Sequence, residues 1–528
     1  MAIPKWCGSV ALVASSAFIL AAVAAAPAAA TIAGVDHADD VCPPSADPCV
    51  VDQRVEIVTG STLDFGLRVV EVRDGGLLDA GAGVDVEVLC GTFTARTGDK
   101  PAVILGSPER SVTRPRLRIR ARRACSDAPN VACHRDTDCT AGTCSVGSGT
   151  MEIDGRIVAD GVKPGDATFR AAGDLTVRRA ASADATHADS DGGILDFWSG
   201  QGSLLVGARL SVEGGARGGG GDIYIDAAHD VTVNAPISAD GGDFDAGFVT
   251  SDTGGDVTIN ANVTARSVVG AGSGGIIDFA GRNVTVAEGV KILANGHRGE
   301  FGGDGGEIGF GASNDVIIHR NVVLSVRGAR PDGYGGFFDI EADGNVSLAG
   351  LVRASGATGA GLVLVGAEGQ TILTKDSRIL ADGKESGGEI DIYGAYVEVD
   401  GKVSGSARRR DGYSARVTLG SDGDVRVGGS IQMNGTSDTF GSGPLRVAGC
   451  NVELADGARV RHRGHMGEVE FEGRELIHLS PRARASARGD DGVVRFVHRD
   501  GGPAPLLEGR VSPAPVIQPD ASLTACAP

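Results

Sequence analysis

The stretch GGDIYIDAAHDVTVNAPISADGG, residues 220–242, contains three short apolar segments separated by turn-forming residues. Ile223-Tyr224-Ile225 and Val231-Thr232-Val233 each flank a middle residue with two aliphatic ones, and a third segment surrounds Ile237. Side chains alternate between the two faces of a strand, so the flanking aliphatics point one way and the middle residue the other. Gly, Asp and Asn between the segments are the residues that tight chain reversals favour.

The same phrase recurs along the chain. With its first apolar residue as anchor, copies fall at Ala167, Leu195, Ile223, Val257, Ile277, Ile308, Phe338, Val363, Ile390, Val417, Leu445, Val469 and Val494, a mean interval of about 27 residues. The interval runs from 20 (Val257 to Ile277) to 34 (Ile223 to Val257), and the short copy lacks a clear second strand. The second segment recurs as Asp or Asn followed by an alternating triplet: Asp174-Leu175-Thr176-Val177, Asn283-Val284-Thr285-Val286, Asn345-Val346-Ser347-Leu348, Asp424-Val425-Arg426-Val427 and Asn451-Val452-Glu453-Leu454.

Three short strands per unit of about 27 residues fit one coil of a parallel β-helix. The reading is an all-β, right-handed parallel β-helix (solenoid) of about 13 clear coils, a core roughly 60 Å long at about 4.8 Å per coil. A propeller blade needs about 40–45 residues, and a leucine-rich horseshoe needs its L-x-x-L-x-L phrase and a helical half. Almost no helix is expected outside the N-terminal signal, apart from an end cap. Alternation in Leu63-Asp64-Phe65, Val69–Val72, Val84–Val88 and Leu117–Ile119 predicts irregular first coils.

Composition narrows the class. Gly makes up 83 of 528 residues and Pro only 20, without a collagen period, while a 41% hydrophobic fraction suffices for a core. The formal charge of −19 argues against a nucleic-acid partner. Lys5, the apolar run Val10–Ala26 and Ala28-Ala29-Ala30 before Thr31 read as a secretory signal. The mature chain is then expected to contain no transmembrane segment and to be secreted or held at the cell surface, with the periplasm as the other compartment.

Export makes disulfides the expected state of the cysteines. Cys42 and Cys49 can close a small loop; Cys125, Cys133, Cys139 and Cys144 can pair in three ways, with zinc as the competing use. An odd total of nine after signal removal leaves at least one of Cys90, Cys450 and Cys526 unpaired or linked to a partner. The expected organisation is a signal at 1–30, an N-terminal extension with the Cys pair at 31–50, irregular coils at 51–124, a Cys-rich loop at 125–149, regular coils at 150–500 and a Pro-rich tail or cap at 501–528.

The phrases GGDIYIDAAHDVTV (220–233), GGEIGFGASNDVII (305–318) and GGFFDIEADGNVSLAGLVRASG (335–356) resemble coils of secreted bacterial right-handed β-helices, nearest to filamentous-haemagglutinin-like adhesins and autotransporter passenger domains. The resemblance covers roughly residues 150–500 and implies a surface or secreted rod used for adhesion, scaffolding or display of loops. The coils are longer than the regular haemagglutinin repeat. Pectin-lyase-like enzymes share the architecture, so catalysis has to be judged from a site.

No catalytic set stands out. A glycosidase needs two carboxylates flanking one bond; Asp490-Asp491 is the adjacent acidic pair within the repeats, and strand neighbours face opposite ways. Gly296-His297-Arg298 resembles a fragment of a pectin-hydrolase signature without its Asn-Thr-Asp phrase, and reads as a solvent-facing turn. Trp198 is the one Trp beyond the signal, and Tyr224, Tyr393 and Tyr396 are candidates for a small outer aromatic patch. Asp189 and Asp191, and Asp243 and Asp245, sit on Gly-rich loops that offer oxygen ligands for calcium or ordinary Asp-Gly turns; no other cofactor is implied. From Lys402 to Arg510, 17 basic residues face 14 acidic ones. Arg408-Arg409-Arg410, Arg461, Arg463, Arg482 and Arg484 can form a face for an acidic polysaccharide or lipopolysaccharide phosphate, or a solvated surface. The expected function is a non-enzymatic structural, adhesive or recognition role toward a glycan or protein ligand, with an exported polysaccharide lyase or hydrolase as the alternative.

Overall fold

The computed structural model describes residues 31–82, 85–106, 114–128, 131–133, 136–140, 142–409, 412, 414, 416–435, 443–489 and 491–526; the signal reading, Arg410 and Asp490 lie outside them. The chain is an all-β parallel solenoid of about 17 turns. Helix among the described residues is limited to Ala38–Val41 and a 3-10 turn at Asp136–Asp138. At about 4.8 Å per rung the stack is roughly 80 Å long.

Each turn contributes one strand to each of three parallel ladders. In the quoted repeat these are Asp222–Ala227, Val231–Val233 and Ile237–Ser238. Register between coils is direct: Leu195 pairs with Ile223, Leu204 with Val231, and Leu210 with Ile237. The aliphatic positions are buried and their neighbours half-exposed, as the alternation predicts. Large residues interdigitate along the shaft, with Phe169 stacked on Phe197 at 5.3 Å and Phe471 on Phe496 at 5.1 Å.

The recurrent Gly-Gly phrase has a steric cause. A Cβ on Gly221, Gly247, Gly275, Gly306, Gly336 or Gly361 would overlap the carbonyl oxygen of Gly193, Gly221, Gly247, Gly275, Gly306 or Gly336, respectively, on the preceding coil. Those carbonyls also accept the backbone N–H that opens the next first strand, as from Ile276 to Gly247 at 3.2 Å and from Phe337 to Gly306 at 3.0 Å. The Asp or Asn ahead of the second strand has a matching role. Asp230 accepts from the Asp256 N–H at 2.9 Å, Asp315 from that of Asn345 at 2.8 Å, and Asn345 from that of Gln370 at 3.0 Å. Side-chain oxygens thus satisfy turn backbone that no strand ladder reaches.

One anchor needs correction. Val257 lies in the second ladder, paired with Val231, and the first strand of that coil is Phe248–Asp252, with Val249 between Ile223 and Ile277. The interval of 34 followed by 20 is therefore 26 followed by 28, and the coil has all three strands. Winding also continues beyond 150–500. Thr31–Val35 pairs with Arg54–Ile57, and Leu506–Leu507, Arg510–Ser512 and Val516–Asp520 form a last turn. The prolines of that segment lie at the terminal edge, where a missing donor interrupts no ladder.

The cysteine group leaves the solenoid between a first and a second strand as a three-stranded antiparallel sheet, closed by Cys125–Cys139 and Cys133–Cys144. Cys42–Cys49 closes the small N-terminal loop, and Cys450–Cys526 ties the C-terminal segment to the side of the rod. Among the described residues Cys90 is the free thiol, fully buried, with burial pushing its pKa up to about 12, so it is not placed to link to a partner.

Candidate functional site

The turns that follow the third strands stack into a groove. Its walls are set by the next side-chain ladder: Asp240 accepts from the Arg266 N–H at 2.8 Å, Asn295 from that of Arg327 at 2.7 Å, and Asp382 from that of Ser406 at 3.0 Å. These bonds fix where each loop departs, so basic residues from six successive coils face one space of about 1320 Å³. Arg266, Arg298, Arg327, Arg330, Arg353, Lys384 and Arg408 line it, with His297 and one carboxylate, Glu300.

Elsewhere on the rod an arginine usually meets a carboxylate one coil away, as in Arg282–Asp256 at 2.9 Å, Arg320–Glu288 at 3.0 Å and Arg482–Asp456 at 2.8 Å. In the groove Arg266 pairs with Asp240 at 2.8 Å and Arg408 approaches Asp382 at 3.9 Å. Arg298, Arg327, Arg330, Arg353 and Lys384 have no carboxylate partner among the described residues. Arg327 as a whole residue is exposed, but neighbouring coils desolvate its guanidinium. That desolvation, then Arg353 and Arg408, hold its pKa below the usual arginine value. Like charges crowded without counter-charges favour an incoming anion.

The positive surface continues toward the C-terminus. Outward residues of the third ladder run in register from Leu351 through Arg378, Lys402, Ser430, Arg459 and Arg484 to Arg510. Beside them Arg461 has its pKa lowered, by burial first and then by Arg463, Arg488, Arg459 and Arg484. Of the arginines singled out from sequence, Arg408 lines the groove and Arg461, Arg463 and Arg484 join this ladder. Arg409 and Arg482 are instead neutralised by Glu385 and Asp456, each within 2.8 Å.

The middle coils of the first ladder carry the opposite sign. Asp196, Asp222, Asp226, Asp278, Glu307, Asp339 and Glu341 occupy its outward positions. Desolvation raises the pKa of Asp222, Asp226, Asp278 and Glu307, and takes Asp339 to about 6 with help from Glu341, Glu307 and Asp278. Tyr393 donates to Glu341 at 3.2 Å on this face. Tyr396 opens a second strand beside Glu398, and Tyr224 lies six coils from Tyr393, so the three tyrosines do not form one patch.

The calcium candidates are engaged within the turn ladders. Asp191, Asp243 and Asp245 accept backbone bonds from Gly219, Ala271 and Ser273 at 2.7–2.9 Å, while Asp189 pairs with Arg217. The four carboxylates are not drawn into one shell. Among the described residues, the one set of three metal-ligand side chains in mutual reach is Cys125, Cys133 and Cys139, whose sulfurs are in disulfides. Asp491 occupies a left-handed turn at φ 63°.

Sequence reasoning placed His297 and Arg298 in a turn but missed Arg327, Arg330, Arg353 and Lys384. The available signal was a basic residue at or just past the end of the third strand in consecutive repeats: Arg266, Arg298, Arg327, Arg353. No family model, curated protein or solved structure matches this chain.

Proposed function

We propose that the protein is an exported, non-enzymatic recognition rod that binds an acidic glycan through the groove around Arg327 and Arg353. One observation carries this reading: five cations without carboxylate partners among the described residues converge on one concave site of a chain whose formal charge is −19. Guanidinium forks suit carboxylates and sulfates, which bind them bidentately. Exposed Phe301 and Tyr334, on two of the loops that form the groove, offer ring faces of the kind that sugars stack on. Export agrees with the leader-like N-terminus and with four disulfides.

Retention on immobilised alginate in a salt gradient tests the reading, alongside an assay for new reducing ends. The native protein is expected to bind, to elute earlier as ionic strength rises, and to release no product. R327Q/R353Q is expected to elute much earlier with an unchanged β-type circular-dichroism spectrum. Binding that ignores both salt and the double substitution defeats the proposal, and turnover would assign a lyase or hydrolase instead.

A further inference from the structure

The groove does not end at Arg408. Arg353 shares its strand, Leu351–Arg353, with the first member of the outward column. That column continues through Arg378, Lys402, Ser430, Arg459, Arg484 and Arg510. Counting the coil of Arg327, eight consecutive third strands are involved, about 34 Å along the axis at about 4.8 Å per rung. Arg378, Lys402, Arg459, Arg484 and Arg510 are exposed, and none has a carboxylate partner among the described residues. The interruption at Ser430 is bordered by Arg461, which stacks on Gln432 of the same strand. The parallel register keeps these charges in one line, because each coil repeats the outward position of the one below.

We propose, resting on the glycan-binding reading above, that groove and ladder form one axial track for an extended polyuronate, with roughly one carboxylate per coil from Arg327 to Arg510. The regular spacing selects the ligand class. A polyuronate carries one carboxylate on every sugar, and a pyranose unit is comparable in length to one rung. A ligand with a single anionic group gains nothing from the ladder, whereas a chain reaching both segments gains through effective concentration. Asp339 and Glu341 on the first ladder repel the same polymer and favour the third face at the start of the track.

The test is a length series of oligomannuronates, 3 and 12 units long, measured by calorimetry on the full chain at low and moderate salt. The 12-mer is expected to bind about 10- to 100-fold more tightly than the 3-mer and to show the steeper salt dependence. R459Q/R461Q/R484Q is expected to lose most of that advantage while leaving 3-mer affinity within about twofold. The unmutated length series stands by itself if the triple variant folds poorly. Equal affinity of the two lengths overturns the track but leaves the groove reading intact. Absence of binding at either length overturns both. If sedimentation shows salt-sensitive pairing of rods, lost in the triple variant and without 12-mer preference, the ladder serves a second copy of this chain and the proposal fails.

Discussion

Gly306→Ala should destabilise the middle of the rod, while Gly420→Ala should not. Neither glycine has a positive φ, so the contrast isolates space from backbone conformation. A Cβ at Gly306 would lie within 2.7 Å of three backbone atoms of Gly274 and Gly275, against an ordinary contact of at least 3.4 Å. Relief requires the two coils to move apart, stretching the bond from the Glu307 N–H to the Gly275 carbonyl, now 2.9 Å. Overpacking of this kind costs about 1–3 kcal/mol, and the weakened bond adds about 1. The expected cost is about 2–4 kcal/mol. A Cβ at Gly420 meets nothing within 4 Å, so that change should fall within about 0.5 kcal/mol, on the stabilising side. A solenoid can open locally rather than all at once, so native-state hydrogen exchange on peptides covering residues 274–312 is the suitable readout, with thermal unfolding as the global measure. If the two variants lose equal protection, or if Gly306→Ala is silent, direct backbone stacking of the glycines is not what holds these coils together.

Asp339→Asn tests the acidic ladder. Its carboxyl titrates at about 6, raised by burial first and then by Glu341, Glu307 and Asp278, against an ordinary 3.8. A carboxyl raised by folding contributes stability that is full below its unfolded pKa and is lost as pH rises through the folded value. The parent should therefore weaken between about pH 4 and pH 7, and the Asn variant should be more stable than it by on the order of 1–3 kcal/mol at pH 8 and equal to it at pH 4. Urea midpoints at the two pH values check this; a pH-independent difference would contradict it. Cys526→Ser opens the disulfide to Cys450, whose sequence separation is 76 residues, and should lower C-terminal stability by roughly 4 kcal/mol. Protease nicking after residue 500, faster in the variant and unchanged near residue 300, is the expected pattern.

The fold was legible because its rule is local. Each strand advertises its inward face by alternation, and each stacked glycine stands immediately before a first strand. The misplaced anchor shows where locality fails. In Phe248–Asp252 the second inward position is Ser251, buried where Ile225 and the other first strands put an apolar side chain, so the segment lacks an aliphatic pair. The nearby GGDVTI then imitates a first strand, although its glycines belong to the turn before the second. Only the pairing of Val249 with both Ile223 and Ile277 resolves the ambiguity.

The groove was illegible for a different reason. Its cations are spread from Arg266 to Arg408, and a linear charge count over any such window is diluted by the carboxylates of the first ladder. What separates Arg327 from Arg282 is not residue type or local spacing. Arg282 has Asp256 one coil away, whereas Arg327 stands among Arg353 and Arg408. That difference depends on which residues the register stacks, and first-strand spacings varying from 24 to 31 residues between Ala167 and Val494 hide the register from any fixed-period search. In a solenoid the informative quantity is charge per column rather than charge per segment. Counting by column separates an acidic first face from a basic third face on a chain that, summed end to end, reads simply as acidic.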